Sequence, residues 1–139
     1  MDIEKERELH NILDVQGMLV SLKQALRVKV GGLGFLGVPC NSFNWMSSPQ
    51  HRRSYLQPWG NTVFKWVEEG NIIASRSCLL IIVLIARSVY WLTENPDRSE
   101  LFNFPPLVHL MSNSDTLPLR VFWTGSQCFW PRGVSEAIL

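Results

Sequence analysis

The chain is poor in cysteine: Cys40, Cys78 and Cys128 are odd in number, widely spaced, and form no Cys-x-x-Cys pair. Its three histidines, His10, His51 and His109, neither pair at helical spacing nor flank a cysteine. Neither a disulfide framework nor a zinc site is therefore expected. Excess charge is lacking too, since 13 Lys and Arg against 12 Asp and Glu leave +1. That balance excludes a strongly basic nucleic-acid module and an acidic scaffold, but not basic residues gathered on one face. No Asn-x-Ser/Thr sequon occurs, and Met1-Asp2-Ile3-Glu4-Lys5-Glu6-Arg7-Glu8 is the opposite of a basic-then-apolar leader. A reducing intracellular compartment, nuclear or cytoplasmic, is the expectation.

A long hydrophobic run is missing as well. The most apolar stretch, Ser77 to Ala86, is bracketed by Arg76 and Arg87. Ten residues rise only about 15 Å as a helix, half a bilayer core, and extension in either direction buries an arginine. A buried helix of a soluble domain is the better expectation, with a membrane-associated protein built on residues 72–92 as an alternative. What is present is ample core material: 139 residues, 46% hydrophobic and 18% charged, the size of one domain.

Residues 3 to 28 carry apolar positions at largely helical spacing, and a helix is expected from about Asp14 to Arg27, capped by Asp14. Gly31-Gly32 ends it, and Leu33 to Val38 reads as a short buried strand. Asn41 to Gly60, rich in Asn, Ser, Pro and aromatic residues, reads as a long loop with a job. Asn61 opens a long helix to about Arg87 with Gly70 as a weak point; Ser88 to Thr93 is β-branched and aromatic, hence a strand. Leu119 to Thr124 offers one more strand, in a region otherwise irregular from Pro105-Pro106 on. The expected organisation is a charged segment 1–10, an α/β domain 11–104 with parallel strands, and an irregular tail 105–139.

Gly32-Leu33-Gly34-Phe35-Leu36-Gly37 matches the G-x-G-x-x-G dinucleotide pattern letter for letter. A helix precedes it where a strand is needed, Pro39 follows, and no Asp or Glu occurs between Asp14 and Glu68 to bind a ribose. The match is expected to be accidental. Cys40 and Glu94 are more telling, because each lies just past an expected parallel strand, where α/β sheets gather their ligands. A thiolate and a carboxylate there would give one ring a nucleophile and a proton donor, with Arg52 or Arg53 lowering the thiol pKa. The alternative is a buried structural cysteine and a loop acid.

The ordered set Gly37-Val38-Pro39-Cys40-Asn41-Ser42-Phe43, Arg52-Arg53, Pro58-Trp59-Gly60-Asn61-Thr62-Val63-Phe64 and Leu92-Thr93-Glu94-Asn95-Pro96 resembles the cytosine-5 DNA methyltransferase family. Residues 11–96 also look like uncharacterised eukaryotic proteins with a GG-L…G-PC-S-F…GN…EN/QP layout. The resemblance implies a partial Rossmann-like methyltransferase core. It matches Cys40 to the nucleophile that adds to C6 of an extruded cytosine, readying C5 for a methyl group from S-adenosylmethionine. Glu94 matches the residue that protonates or hydrogen-bonds ring N3, and Pro39 and Asn95 match pocket-shaping positions. Arg52 and Arg53 suit phosphate contacts to DNA. The family's Phe-x-Gly-x-Gly cofactor turn has no counterpart upstream of Cys40, and its Gln-x-Arg-x-Arg motif is absent downstream. The expectation is thus a methyltransferase-like core inactive alone because its S-adenosylmethionine half is missing. A non-catalytic module binding a protein partner through some of six tryptophans is the alternative.

Overall fold

The computed structural model describes residues 11–96, 98–113 and 119–123. They form a mixed α/β unit with one three-stranded parallel sheet in the order β1 (Leu33–Gly37), β2 (Tyr90–Pro96), β3 (Leu119–Trp123). Parallel neighbours need a long crossover. Helix α3 (Lys65–Ala86) supplies it between β1 and β2, and α4 (Pro105–Asn113) lies between β2 and β3. Helix α1 (Val15–Arg27) precedes the sheet, and a single turn, α2 (Ser48–His51), lies in the loop after β1.

Helix α1 begins where expected, with the Asp14 carboxylate accepting from Val15 N at 2.7 Å. Its buried positions are not its large apolar ones. Gly17, Ser21 and Ala25 are buried at intervals of four, while Val15, Leu19 and Leu26 are exposed. Gly17 lies against the backbone of Asn11, where a Cβ would overlap Asn11 O, while α1 packs on α3, whose Ile73, Ala74, Leu80, Ile81 and Leu84 fill the core between the helices and the sheet. Arg76, in the middle of α3, donates from Nη1 to Ile12 O at 2.5 Å and fastens the start of α1. Helix α3 has 22 residues, an 18-residue stretch of it has a mean hydropathy of 1.7, and among the described residues it is the one helix long and apolar enough, by length and composition, to cross a membrane. Half of that apolar window is buried within the fold.

The strands alternate cleanly, as period-two side chains must. Gly34, Leu36, Trp91, Thr93 and Asn95 are buried on one face, and Phe35, Leu92 and Glu94 are half-buried on the other. In G-x-G-x-x-G terms the middle glycine has a packing duty. A Cβ at Gly34 would sit 2.5 Å from Leu84 Cδ1, so it is small because α3 lies against the sheet there.

Residues past 104 are more ordered than the sequence suggested. Pro105 and Pro106 occupy the first turn of α4, where a missing N–H costs nothing, and Leu107 is buried against the core. The irregular pattern from Pro105-Pro106 on hid a nine-residue helix too short to show its period. The β3 expectation holds at Leu119–Trp123, with Glu94 in register with Val121. The charged segment 1–10 and residues 124–139 lie outside the described residues.

Helices α3 and α4 flank an apolar groove of about 350 Å³ whose lining includes Cys78, Leu79, Ile82 and Leu110. Burial pushes the Cys78 thiol from 9.0 up to about 12, so it is protonated and inert at neutral pH. Cys78 binds its proton more tightly when folded, so stability is lost as pH rises above 9.0, until about 12. One pH unit into that window costs about 1.4 kcal/mol. Urea titrations across the alkaline range are expected to show this slope, and Cys78→Ala to remove it; an unchanged slope would locate the effect elsewhere.

Candidate active site

The Pro-Cys loop and the Glu-Asn pair meet at one edge of the sheet. Register pairs Gly37 of β1 with Glu94 of β2, so Val38-Pro39-Cys40 leaves the sheet beside Glu94-Asn95. Glu94 and Asn95 lie inside β2, not past its end, because the strand continues through Pro96. Their alternation assigns them different duties. Glu94 is half-buried on the face away from α3, whereas Asn95 is buried on the face toward it.

Asn95 ties the two loops together. Its Nδ2 donates to Val38 O at 2.7 Å, and its Oδ1 accepts from Ser99 Oγ at 2.5 Å. Glu100 N in turn donates to Phe43 O at 2.8 Å, so both sides of the Pro-Cys loop are held from the segment after β2. Buried amide groups paired in this way specify one geometry, since an unpaired one is costly. Pro39 and Cys40 are half-buried at this edge. Cys40 is disulfide-bonded in the structure, which three widely spaced cysteines did not suggest; thiolate chemistry at this position requires the reduced form.

The expected long loop Asn41–Gly60 is built, not loose. Trp45–Ser47 forms a 3₁₀ turn, α2 follows, and Ser54 and Gln57 close a tight turn by exchanging backbone bonds of 3.2 and 3.0 Å. Its organiser is Arg53, which the sequence assigned to phosphate. Arg53 is 4% exposed, and its five N–H donors all have acceptors. Nε donates to Ser42 O at 2.6 Å, Nη1 to Pro58 O and Asn71 Oδ1 at 2.7 Å each, and Nη2 to Val67 O at 3.2 Å and Ser42 Oγ at 3.3 Å. The guanidinium also stacks over Phe43, 4.1 Å from the ring centre. No donor is left for a phosphate, so Arg53 positions the loop. Desolvation lowers its pKa to about 10, against an opposing pull from Glu100, and it remains a cation at neutral pH.

Neighbouring groups complete the same body. His51 is buried; its Nδ1 accepts from Arg53 N at 2.9 Å, and its Nε2 lies 2.9 Å from Asn44 O. Gly60, at φ +67°, brings the chain back against His51 and Arg53, where a Cβ would stand 2.6 Å from His51 O. Gly70, read as a weak point of α3, is instead a contact: a Cβ there would overlap Ser42 Oγ. Arg52 differs from its neighbour, being exposed at φ +51° as the C-cap of α2. It can reach an anion; Arg53 cannot.

Sequence reasoning thus found the two loops that meet and missed the residues that hold them, Ser42, His51, Gly70, Asn71 and Ser99. The available signal was Arg-Arg after a chargeless stretch, followed by Gly70 and Asn71 just before the apolar part of the next helix. The described residues do not fit S-adenosylmethionine. The only Gly-x-Gly-x-x-Gly run is engaged in sheet packing at Gly34, and the strand it occupies ends in the Pro-Cys loop itself. Among the described residues, no cluster of His, Cys, Asp and Glu could hold a metal ion. No protein-family model, curated protein or solved structure matches the chain.

Proposed function

We propose that the carboxyl edge of the sheet is the base-facing half of a cytosine-5 methyltransferase-like centre, on a partial Rossmann-like core. The observation behind this reading is the pairing of Gly37 with Glu94, joined by the Asn95 Nδ2 bond to Val38 O. That geometry puts the Pro-Cys segment, just past β1, beside the Glu-Asn pair within β2, as attack and protonation on one ring demand. In reduced protein, the Cys40 thiolate adds to C6 of cytosine while Glu94 hydrogen-bonds ring N3. The electron pair displaced from the 5,6 double bond makes C5 basic. C5 then takes a proton from solvent, loses its original hydrogen, and expulsion of the thiolate restores the ring.

Exchange of the C5 hydrogen for solvent deuterium, on deoxycytidine or oligo(dC), therefore needs no methyl donor. Reduced wild-type protein is expected to catalyse it, with loss to background in Cys40→Ser and about a hundredfold drop in Glu94→Gln, the low end for a positioned acid. Calorimetry with S-adenosylmethionine is expected to give no binding heat. Exchange unaffected by Cys40→Ser would remove the proposal.

A second reading, a non-catalytic protein-interaction module, is favoured by two observations: Cys40 is disulfide-bonded, and Trp45 and Trp59 are 54% and 45% exposed. Absence of exchange by the reduced protein would decide for it.

A further inference from the structure

Helix α1 carries its largest apolar side chains on the outside. Val15 is 62% exposed, Leu19 51% and Leu26 49%. At about 100° per residue, these three fall within about 40° of arc, on one line along the helix. Leu22, half-buried and packed against the core, continues that line. The intervals from Val15 to Leu19, Leu22 and Leu26 are four, three and four residues, the spacing of a seam into which a second helix fits knobs into holes.

The stripe is narrow because both flanks are taken. Gln16, Lys23 and Arg27, all exposed, line one side. On the other side Met18 and Leu22 lean onto the protein's own core. A strict seam of this width suits a helix, whereas a lipid surface asks for a broad apolar face, commonly with aromatic anchors. Helix α1 has no aromatic residue.

The pattern also says which helix fits. The four apolar positions read the same in both directions, so an antiparallel copy sets Val15 against the partner's Leu26 and Leu19 against the partner's Leu22. Gln16 and Lys23 share a flank, and under the same two-fold they come side by side across the seam. The ends complement each other as well. Asp14 caps the amino end and Arg27 stands in the last turn, so antiparallel packing brings acid and positive dipole end beside base and negative dipole end. Parallel packing would set like ends together. We propose that α1 is the interface of a symmetric dimer, in which two copies of this chain pack antiparallel through Val15, Leu19, Leu22 and Leu26. The dimer is independent of the chemistry at the sheet edge.

Sedimentation of the full chain from low to high micromolar concentration, under reducing conditions that exclude a cysteine link, tests it. A 13-residue helix presents less than the ~800 Å² per partner of a standard interface, so a weak dimer is expected, with Kd about 10–100 μM. Leu19→Glu should leave only monomer over this range. Because Leu19 is exposed, the thermal midpoint of the dilute variant should match that of wild type. Gln16 gives a readout of opposite signs. Gln16→Glu should tighten the dimer about fivefold by facing the partner's Lys23, and Gln16→Lys should weaken it about as much, two such pairs acting in each dimer. Binding to vesicles of anionic lipid would show the reverse order, the lysine variant binding more tightly. A wild-type monomer throughout, a dimer indifferent to Leu19→Glu, or equal dimer strength in the two Gln16 variants overturns the proposal. A monomer that binds the vesicles through Leu19 overturns it in favour of a lipid surface.

Discussion

Arg53→Ala is expected to lower the unfolding free energy by ~4 kcal/mol, a large share of a domain's total stability. Five acceptors lose their donor at once: Ser42 O, Ser42 Oγ, Pro58 O, Val67 O and Asn71 Oδ1. Each buried acceptor left dry costs about 1–3 kcal/mol, reduced where water enters the vacated space. The stack on Phe43 is lost as well, and with it contact between the Pro-Cys loop and the turn around Pro58. Arg53→Lys should recover only about half, because three donors on one nitrogen cannot reach five acceptors spread around a planar fork. Urea unfolding of both variants measures this. Losses below about 0.5 kcal/mol, the surface-substitution range, would mean that the hydrogen-bond set is not made in solution. C5 exchange should fall with the loop, since Ser42 follows Cys40 by two residues and is held from below by the same guanidinium.

Gly70→Ala should be the second-largest effect, a loss of ~2–3 kcal/mol, although alanine is the better helix former by about 1 kcal/mol. The added Cβ would overlap Ser42 Oγ and stand 2.9 Å from Ser42 Cβ, with Arg53 Nη2 at 3.5 Å behind them. Ser42 is wholly buried, so it cannot swing into water to relieve the overlap. The helix and the Pro-Cys loop must separate, and the bonds from Arg53 to Ser42 lengthen. Ser42→Gly removes both obstructing atoms. In the double variant Gly70→Ala, Ser42→Gly, the two losses should therefore be less than additive by more than 1 kcal/mol, a coupling typical of residues in contact. Strict additivity would show that helix and loop do not touch at this point.

These two residues mark where sequence reading worked and where it stopped. Helix α1 announces itself through Asp14 and its terminal arginine, and β1 and β2 through short apolar runs beside glycine and proline, because such signals are local. The convergence of Pro39-Cys40 with Glu94-Asn95 followed from parallel topology alone. Helix α4 escaped because nine residues, Pro-Pro among them, give too little period. The buried face of α1 was not legible for another reason: Gly17, Ser21 and Ala25 carry little apolar signal, and only packing shows that they face inward, Gly17 against the Asn11 backbone.

Arg52 and Arg53 put the limit most clearly. As letters they are the same residue twice, and composition offers no reason to separate them. A single left-handed residue at the end of α2 turns one guanidinium out to solvent and the next inward, onto five acceptors from four residues in three parts of the chain. By itself the sequence determined the α/β order, the parallel strands and the edge where the Pro-Cys and Glu-Asn segments meet, since propensity and crossover rules act along the chain. Only the tertiary structure decided which arginine is a clamp, which glycine is a contact and which aromatic rings stay exposed. Those are properties of distance across the fold, set by long-range hydrogen bonds and close packing that no local pattern encodes.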